Sequence, residues 1–399
     1  MLEWLIVGGG IHGTYLARAL TEEGRVAPER VRVVDPEPRL LSRFFAHCEA
    51  VGVDYLRSPA VHHLDGPPMA LFARARREPE GSMPLRGRVA RPALGLFRAH
   101  SEEVVARQGL ARLHVVTRAQ GLRRWRGGYR VDTPHGPLES QRVILAIGSG
   151  DCLCRPDWLA GLPAERAGHV FDPSFDDRRI TPGQRVVVVG GGLSAAQAAL
   201  RFATRSPGAV TLLSRHPPRL HEFDSDPCWM GPKCTDAFHR RSCFVERRRL
   251  LREARHRGSM PRELALRLEA AVGRGTIFLR HGEVASATPT PSGELRLELT
   301  GDAGGLDTDH TLVATGYDPR CPGGPWLAAA IEDLGLPTAP CGYPAIPPTL
   351  EWAPGLFVTG ALAELEIGPV ARNVLGARLA AERIRDLNRR QCRPSRGKA

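Results

Sequence analysis

The segment Gly8-Gly9-Gly10-Ile11-His12-Gly13 follows the apolar run Leu5-Ile6-Val7 and sets glycines at the first, third and sixth places of a tight turn. In such a turn the first glycine permits the bend, the second lets backbone approach a pyrophosphate, and the third allows close packing of helix on strand. The helix that follows aims its free N–H groups at the phosphate. Asp35 ends the next apolar run, residues 31–34. A carboxylate about 20 residues beyond the glycines is placed to accept bonds from ribose hydroxyls. Gly8, Gly10, Gly13 and Asp35 are thus read as one dinucleotide site.

The same grammar returns in mid-chain. Four valines, 186–189, run into Gly190-Gly191-Gly192-Leu193-Ser194-Ala195. Gly190, Gly192 and Ala195 take the three turn roles, and Ser194 stands with them at the helix start. The strand after this turn ends Leu213-Ser214-Arg215-His216, without an acid. A carboxylate there would repel a 2′-phosphate, whereas Arg215 can pair with one and stack on adenine. The expectation is FAD at the first turn and NADPH, rather than NADH, at the second.

A third element is Asp309-His310-Thr311-Leu312-Val313-Ala314-Thr315-Gly316-Tyr317, with Pro322 five residues after the tyrosine. It reads as a buried strand ending in small residues, where the backbone crosses between two nucleotide folds. Here the sequence resembles the flavin-dependent N-hydroxylating monooxygenases, the lysine/ornithine N-monooxygenase family. Their motif runs Asp, three residues, a large apolar residue, Ala-Thr-Gly-Tyr, four residues, then Pro or His. Asp309, Ala314 to Tyr317 and Pro322 match it, and Val313 stands where Leu or Phe is usual. The resemblance extends over the whole layout. It implies an enzyme in which NADPH reduces FAD, O2 adds to the flavin as a C4a-peroxide, and one oxygen passes to a nucleophilic nitrogen or sulfur of a small molecule.

The chain also departs from relatives. Baeyer–Villiger and related monooxygenases carry Phe-x-Gly ahead of a histidine; Pro163 and Glu165 stand there ahead of His169. The lysine and asparagine that help hold amino-acid substrates in the resembled family are not placed by the sequence, so the substrate stays open. The rival is an FAD-dependent pyridine-nucleotide oxidoreductase without oxygen insertion. The missing CxxC counts only against its disulfide-reducing branch. A flavin-binding sensor is a third reading, with no feature in its favour.

Three segments are candidates for the reactive face. Residues 55–63 offer His62 and His63, in a loop that related enzymes bring to the flavin. Residues 223–232 offer Asp226 and Trp229, in an insertion that carries substrate contacts in the resembled family. Gly360 ends the last strand, and residues 364–373 follow it. A helix N-terminus there should face the flavin pyrimidine and favour the negative charge of the reduced ring, with Asn373 beside it. The plainer alternatives are structural histidines and a Pro/Gly-rich turn.

Positioning these residues takes two α/β folds. The first half reads as strand 5–7, a helix to about residue 20, strand 31–34, helix 97–107, and strands 113–116, 129–132 and 143–146. The second echoes it with strands 186–189, 210–213, 276–279, 295–299 and 311–314. Residues 217–274 interrupt the second fold with a polar loop and helices, one of them capped by Ser259. The expected architecture is two Rossmann-like domains, with an NAD(P)H domain (178–305) inserted into a discontinuous FAD domain (1–155 and 310–399). A last helix, 369–387, returns to the first domain, and residues 389–399 read as a frayed end.

The 399 residues suffice for two domains. The net charge of +12 comes almost wholly from arginine, since Lys233 and Lys398 are the only lysines. The arginines are scattered, which speaks for a field favouring anionic dinucleotides rather than for nucleic acid. No apolar run is long enough to span a bilayer, and no signal-peptide pattern opens the chain, so a cytoplasmic protein with reduced thiols is expected. Cys228 and Cys234 fit neither a redox CxxC nor zinc-ligand spacing. The expected partners are a small-molecule substrate and O2, with self-association left open, no metal and no membrane.

Overall fold

The computed structural model describes residues 1–301 and 304–391. The elements that frame the site are, in chain order, β1 (Leu2–Val7), α1 (Ile11–Arg18), β2 (Val31–Asp35), β3 (His114–Val116), β4 (Leu138–Leu145), β5 (Ala167–His169), β6 (Val186–Val189), α2 (Leu193–Arg205), β7 (Val210–Ser214), α3 (Pro232–His239), α4 (Phe244–Ala254), β8 (Ile277–His281), β9 (His310–Val313), β10 (Leu356–Val358) and α5 (Val374–Gln391).

Successive side chains of a strand face opposite ways, and an unbroken apolar run therefore marks a strand covered on both sides. Trp4 and Ile6 of β1 enter a core shared with α1 and α5, while Leu5 and Val7 enter another beneath Tyr129, Trp352 and Leu327. The first sheet runs β10–β4–β1–β2–β3, all parallel, and is widened by an antiparallel hairpin and one antiparallel edge strand. The second runs β8–β7–β6–β9–β5, also all parallel. Its faces are packed by the alanine-rich side of α2 and by a three-stranded antiparallel sheet. Parallel strands joined by crossover helices, α1 in the first sheet and α2 in the second, make each sheet a Rossmann-like unit.

The strand at 310–313, read as closing the second half although the FAD bounds begin at 310, belongs to the second sheet, where β9 lies between β6 and β5. Asp309 explains this: its carboxylate accepts the Arg185 amide at 2.7 Å, and the Thr308 hydroxyl donates to the Arg185 carbonyl at 2.9 Å, docking the start of β9 against β6. The backbone crosses between the sheets near residues 152–154 and again near 316–318. The two crossings bond to each other, Cys154 N to Gly316 O at 2.9 Å and Asp318 N to Cys152 O at 2.7 Å.

Three local expectations are corrected. Ser259 caps no helix: residues Ser259–Met260 pair with Arg219–Leu220, and the helix Arg262–Gly273 follows Pro261. The last helix begins at Val374, because Asn373 is extended (φ −96°, ψ 173°) and Pro369–Arg372 form a separate 3-10 turn. That helix runs to Gln391; the remainder of the expected frayed end, 392–399, lies outside the described residues. Cys228 and Cys234, expected as free thiols, form a disulfide with a Cα–Cα distance of 5.3 Å. An extended Gly231 (φ −150°) folds the 3-10 turn Pro227–Met230 back beside α3 and brings the sulfurs together. No helix among the described residues is long and apolar enough to cross a membrane.

Candidate functional site

The first glycine turn is shaped by close approach. Gly8 has φ +114°, and a Cβ there would lie 2.3 Å from the Ala146 carbonyl oxygen; one on Gly13 would lie 1.7 Å from the Gly8 oxygen. Gly10, by contrast, faces open space, with no atom within 4 Å of a Cβ position. No side chain caps α1 at Gly10 and no acid stands in its first turn, which leaves its N–H groups free for an anion. Asp35 accepts the amides of Gly9 at 2.6 Å and Glu37 at 2.9 Å, which fixes the carboxylate at the strand end with lone pairs to spare. This cradle fits the pyrophosphate and ribose of a dinucleotide.

The same turn contains His12, to which the sequence reading gave no role. Its Nδ1 lies 2.8 Å from the Thr359 hydroxyl, and its ring faces Gly360 (φ +64°). Burial pushes its pKa down to about 4, so the imidazole is neutral. The ring is buried beside the Arg372–Asn373 backbone. His12 thereby links the first turn to the segment after the last strand.

At the second turn Gly190 (φ +153°) passes close to the Ala314 carbonyl, 2.7 Å from a Cβ position, and Ala195 is fully buried against it. Ser194 lies in the uncapped first turn of α2. Gly192 is less open than Gly10: Gly258 of the insertion stands 3.2 Å from its Cβ position. Arg215, mostly exposed, pairs with Glu283 at 3.2 Å. Such a surface pair is worth about 0–1 kcal/mol, so the guanidinium can exchange it for a phosphate.

A cavity of about 250 Å³ lies where the two folds meet, lined by Arg57, Pro59, His62, Leu193, Asp224 and Asn373, with Met230 on its insertion side. Leu193 opens α2 directly after the second glycine turn, and Asn373 immediately precedes α5. Asn373 donates to Asp224 at 3.3 Å. Burial, aided by Arg378 and His63, lowers the His62 pKa below its ordinary 6.5. Arg57 ties the loop at 55–63 to the insertion, donating to the carbonyls of His221 at 2.7 Å, Glu222 at 3.1 Å and Phe223 at 2.6 Å. A larger cavity of about 420 Å³ lies beside Arg43, His47 and Phe171. It touches neither glycine turn, and its charged rim is already engaged in ion pairs such as Arg43–Asp151 and Arg201–Asp177.

Of the sequence candidates, the cavity brings together His62 and Asn373. His63 turns away into its own loop, bonding Pro68 O at 3.1 Å and the Asp65 amide at 3.1 Å. The Asp226 carboxylate accepts the Cys228 amide at 2.8 Å and caps the turn at 227–230. Trp229 lies behind the cavity wall, against Gly368 (3.6 Å from its Cβ position) and edge-on to Phe238. Asp224, two residues from Asp226, is the carboxylate that faces the cavity.

Behind this cavity sits an ionic cluster that the sequence reading missed. Glu364, wholly buried, accepts from Arg255 at 2.6 Å, Arg372 at 2.8 Å, and Arg248. Burial opposes its ionisation, yet Arg255, Arg372 and Arg248 outweigh that and hold its pKa at about 2. Glu366 pairs with Arg247 at 2.7 Å and Arg383 at 3.3 Å. Arginines of α4 and the residue after it thus fasten the insertion to the segment between the last strand and α5.

Comparison with known proteins bears on this geometry. Residues 5–150 match a protein-family model described as FAD-NAD(P)-binding. No curated protein matches the chain in sequence. Among solved structures it is similar to the L-lysine 6-monooxygenase of Pseudomonas syringae, with a TM-score of 0.75 and 19% identity over 98% of this chain and 100% of that one. It is also similar to the Kutzneria sp. 744 ornithine N-hydroxylase with reduced FAD, NADP+ and L-ornithine (0.75, 16% identity, 98% and 99%). The FAD-bound cadaverine monooxygenase of the desferrioxamine pathway from Erwinia amylovora gives 0.75 at 16% identity over 100% and 97%. The chain has the fold of these flavin-dependent N-hydroxylating enzymes along its whole described length, two Rossmann-like dinucleotide units with the second inserted into the first.

Proposed function

We propose that this chain is an FAD-containing, NADPH-dependent monooxygenase that hydroxylates a nucleophilic nitrogen, or sulfur, of a small molecule. The observation that carries the reading is the cavity between the folds, where Leu193 at the end of the second glycine turn meets Asn373 and the His12-linked segment of the first. A redox cofactor held by one turn and its reductant held by the other both reach such a place. FAD would lie along Gly8, Gly10, Gly13 and Asp35 and past Gly360, and NADPH along Gly190, Gly192, Ser194 and Ala195 with Arg215 at its 2′-phosphate. Bound there, FAD would supply the chemistry, electron transfer from NADPH and activation of O2.

The chain's own groups orient and enclose. Neutral His62 and the Asn373–Asp224 pair offer hydrogen bonds to a polar substrate group, and His62 can accept its proton. Leu193, Pro59 and Met230 keep water from the cavity, which protects a reactive oxygen species from wasteful loss. The reading resembles what the three structural relatives are named for, and it places this protein among soluble small-molecule enzymes of the cytoplasm. The deciding experiment follows NADPH and O2 consumption while amines are screened as substrates. Hydroxylated product formed one-for-one with NADPH supports the proposal. NADPH oxidation that reduces an added acceptor without O2 uptake supports the dehydrogenase reading instead.

A further inference from the structure

The cavity wall contributed by the insertion is held differently from the rest of that insertion. Arg247, Arg248 and Arg255 anchor α4 and its flank to Glu364 and Glu366. Among the described residues, no ion pair involves positions 226–236, the stretch that contains Trp229 and Met230. This stretch is a single 3-10 turn, an extended Gly231 and the start of α3. Apart from the helical bonds of α3, it is held by the Asp226 cap, Trp229 N to Asp226 O at 3.1 Å, a long Gly231 N to Cys228 O contact at 3.4 Å, Thr235 Oγ1 to Gly231 O at 3.0 Å, and the apolar packing of Trp229 and Met230. The covalent link between Cys228 and Cys234 closes the bend across Gly231. Both cysteines are half-buried, within reach of a solvent-borne thiol.

From this arrangement we infer that the Cys228–Cys234 disulfide positions the outer wall of the cavity and makes its closure sensitive to thiols. With the bond intact, Trp229 is pressed on Gly368 and Phe238, and Met230 is held at the cavity. A dithiol reductant, either a small dithiol or a CxxC protein, attacks one sulfur as a thiolate and forms a mixed disulfide. Its second thiol then resolves that bond. The reductant leaves as a disulfide, and Cys228 and Cys234 each gain a proton and an electron as thiols. Freed at one end, a turn held by apolar packing and without ion pairs loosens from the cavity, and water enters. The inference deepens the proposed function by giving the same site a control, and it rests on that reading for its catalytic consequence only.

The test uses the full-length holoprotein in three forms: as isolated without reductant, after dithiothreitol, and as the Cys228→Ser/Cys234→Ser double variant. Alkylation and mass spectrometry report the bond, hydrogen exchange of residues 226–240 reports the wall, and hydrogen peroxide per NADPH reports closure. The expected result is protection of both cysteines from alkylation in the first form only. Exchange at 226–240 should be at least tenfold faster in the other two, and peroxide release severalfold higher. FAD content should be unchanged, and reoxidation should restore the first form. Free, alkylatable Cys228 and Cys234 in the isolated protein overturn the inference, and so does equal exchange in all three forms. Faster exchange with unchanged peroxide also overturns it, since the wall would then move without controlling the cavity. If the protein binds FAD but hydroxylates nothing, the proposed function fails, and the alkylation and exchange results still decide the structural claim.

Discussion

Replacing Glu364 by alanine removes the single anion shared by Arg248, Arg255 and Arg372 and leaves three guanidinium groups facing one another in a buried space. Two routes give the size of the effect. Removing one partner of a buried pair costs about 3–5 kcal/mol, because the remaining charge is stranded. Independently, the carboxyl's pKa of about 2, against an ordinary 4.5, is a displacement of about 2.5 units. At 1.36 kcal/mol per unit this amounts to about 3 kcal/mol in favour of the ionised, folded form. Unfolding entropy of about 2.1 cal/mol/K per residue gives about 0.8 kcal/mol/K for a chain of this length, so the loss corresponds to a Tm lowered by about 4–6 °C. Because the folded pKa is depressed, this contribution is fully present above pH 4.5 and is lost as pH falls toward 2. Glu364→Gln keeps the shape but not the charge, so it should lower Tm at pH 7 and flatten the acid limb of the stability profile. Calorimetry from pH 7 to pH 3 on wild type and both variants is the assay. A Glu364→Gln protein with wild-type Tm at pH 7 and an unaltered acid limb would refute the reasoning.

Gly10→Val should keep the fold, since its Cβ meets open space at φ −74°, yet purify colourless; a folded, fully yellow variant would remove FAD from the first turn. Arg215→Ala should weaken NADPH binding by about 1.5–3 kcal/mol, the range of a charge-assisted bond, with little change for NADH. Equal losses for both donors in steady-state kinetics would contradict its role. Asp224→Ala should reduce product per NADPH while flavin reduction in stopped flow stays within about twofold. Asp226→Ala should instead cost about 1 kcal/mol of local stability through the lost cap and leave kcat for product nearly intact; the opposite ranking would return Asp226 to the cavity.

Much of the fold was legible because its signals are local. Glycine spacing, a terminal Asp35 and unbroken valine runs are consequences of backbone geometry within a few residues, and both sheets assemble where those signals lie. What escaped is non-local. Glu364 meets Arg255 across 109 residues of chain, and no pattern along either segment encodes that encounter. The disulfide depends on a bend at Gly231 that becomes visible only once α3 is in place. The crossover strand was listed with the second half but left inside the FAD bounds, because hydrophobicity marks a strand without naming its sheet; pairing with β6, docked by the Asp309–Arg185 bond, puts it in the second. Asp226 is different, for its signal was present: an Asp directly before a Pro at the first helical position is a capping pattern. His12 stood inside the quoted motif, but the role of a residue between motif glycines is set by the last strand, hundreds of residues away.

The paired crossings, Cys154 to Gly316 and Cys152 to Asp318, have a consequence for how this protein can be rebuilt. The second sheet leaves and re-enters the chain at one doorway, its entrance and exit a hydrogen bond apart. Residues from about 155 to 315 therefore form a cassette whose ends already meet. Replacing such a unit by one of the same fold leaves the ends of the frame where they are, provided the arginines that meet Glu364 and Glu366 come with it. The doorway also limits motion, because two bonded strands of backbone flex together like a strap hinge and resist twisting about a single thread.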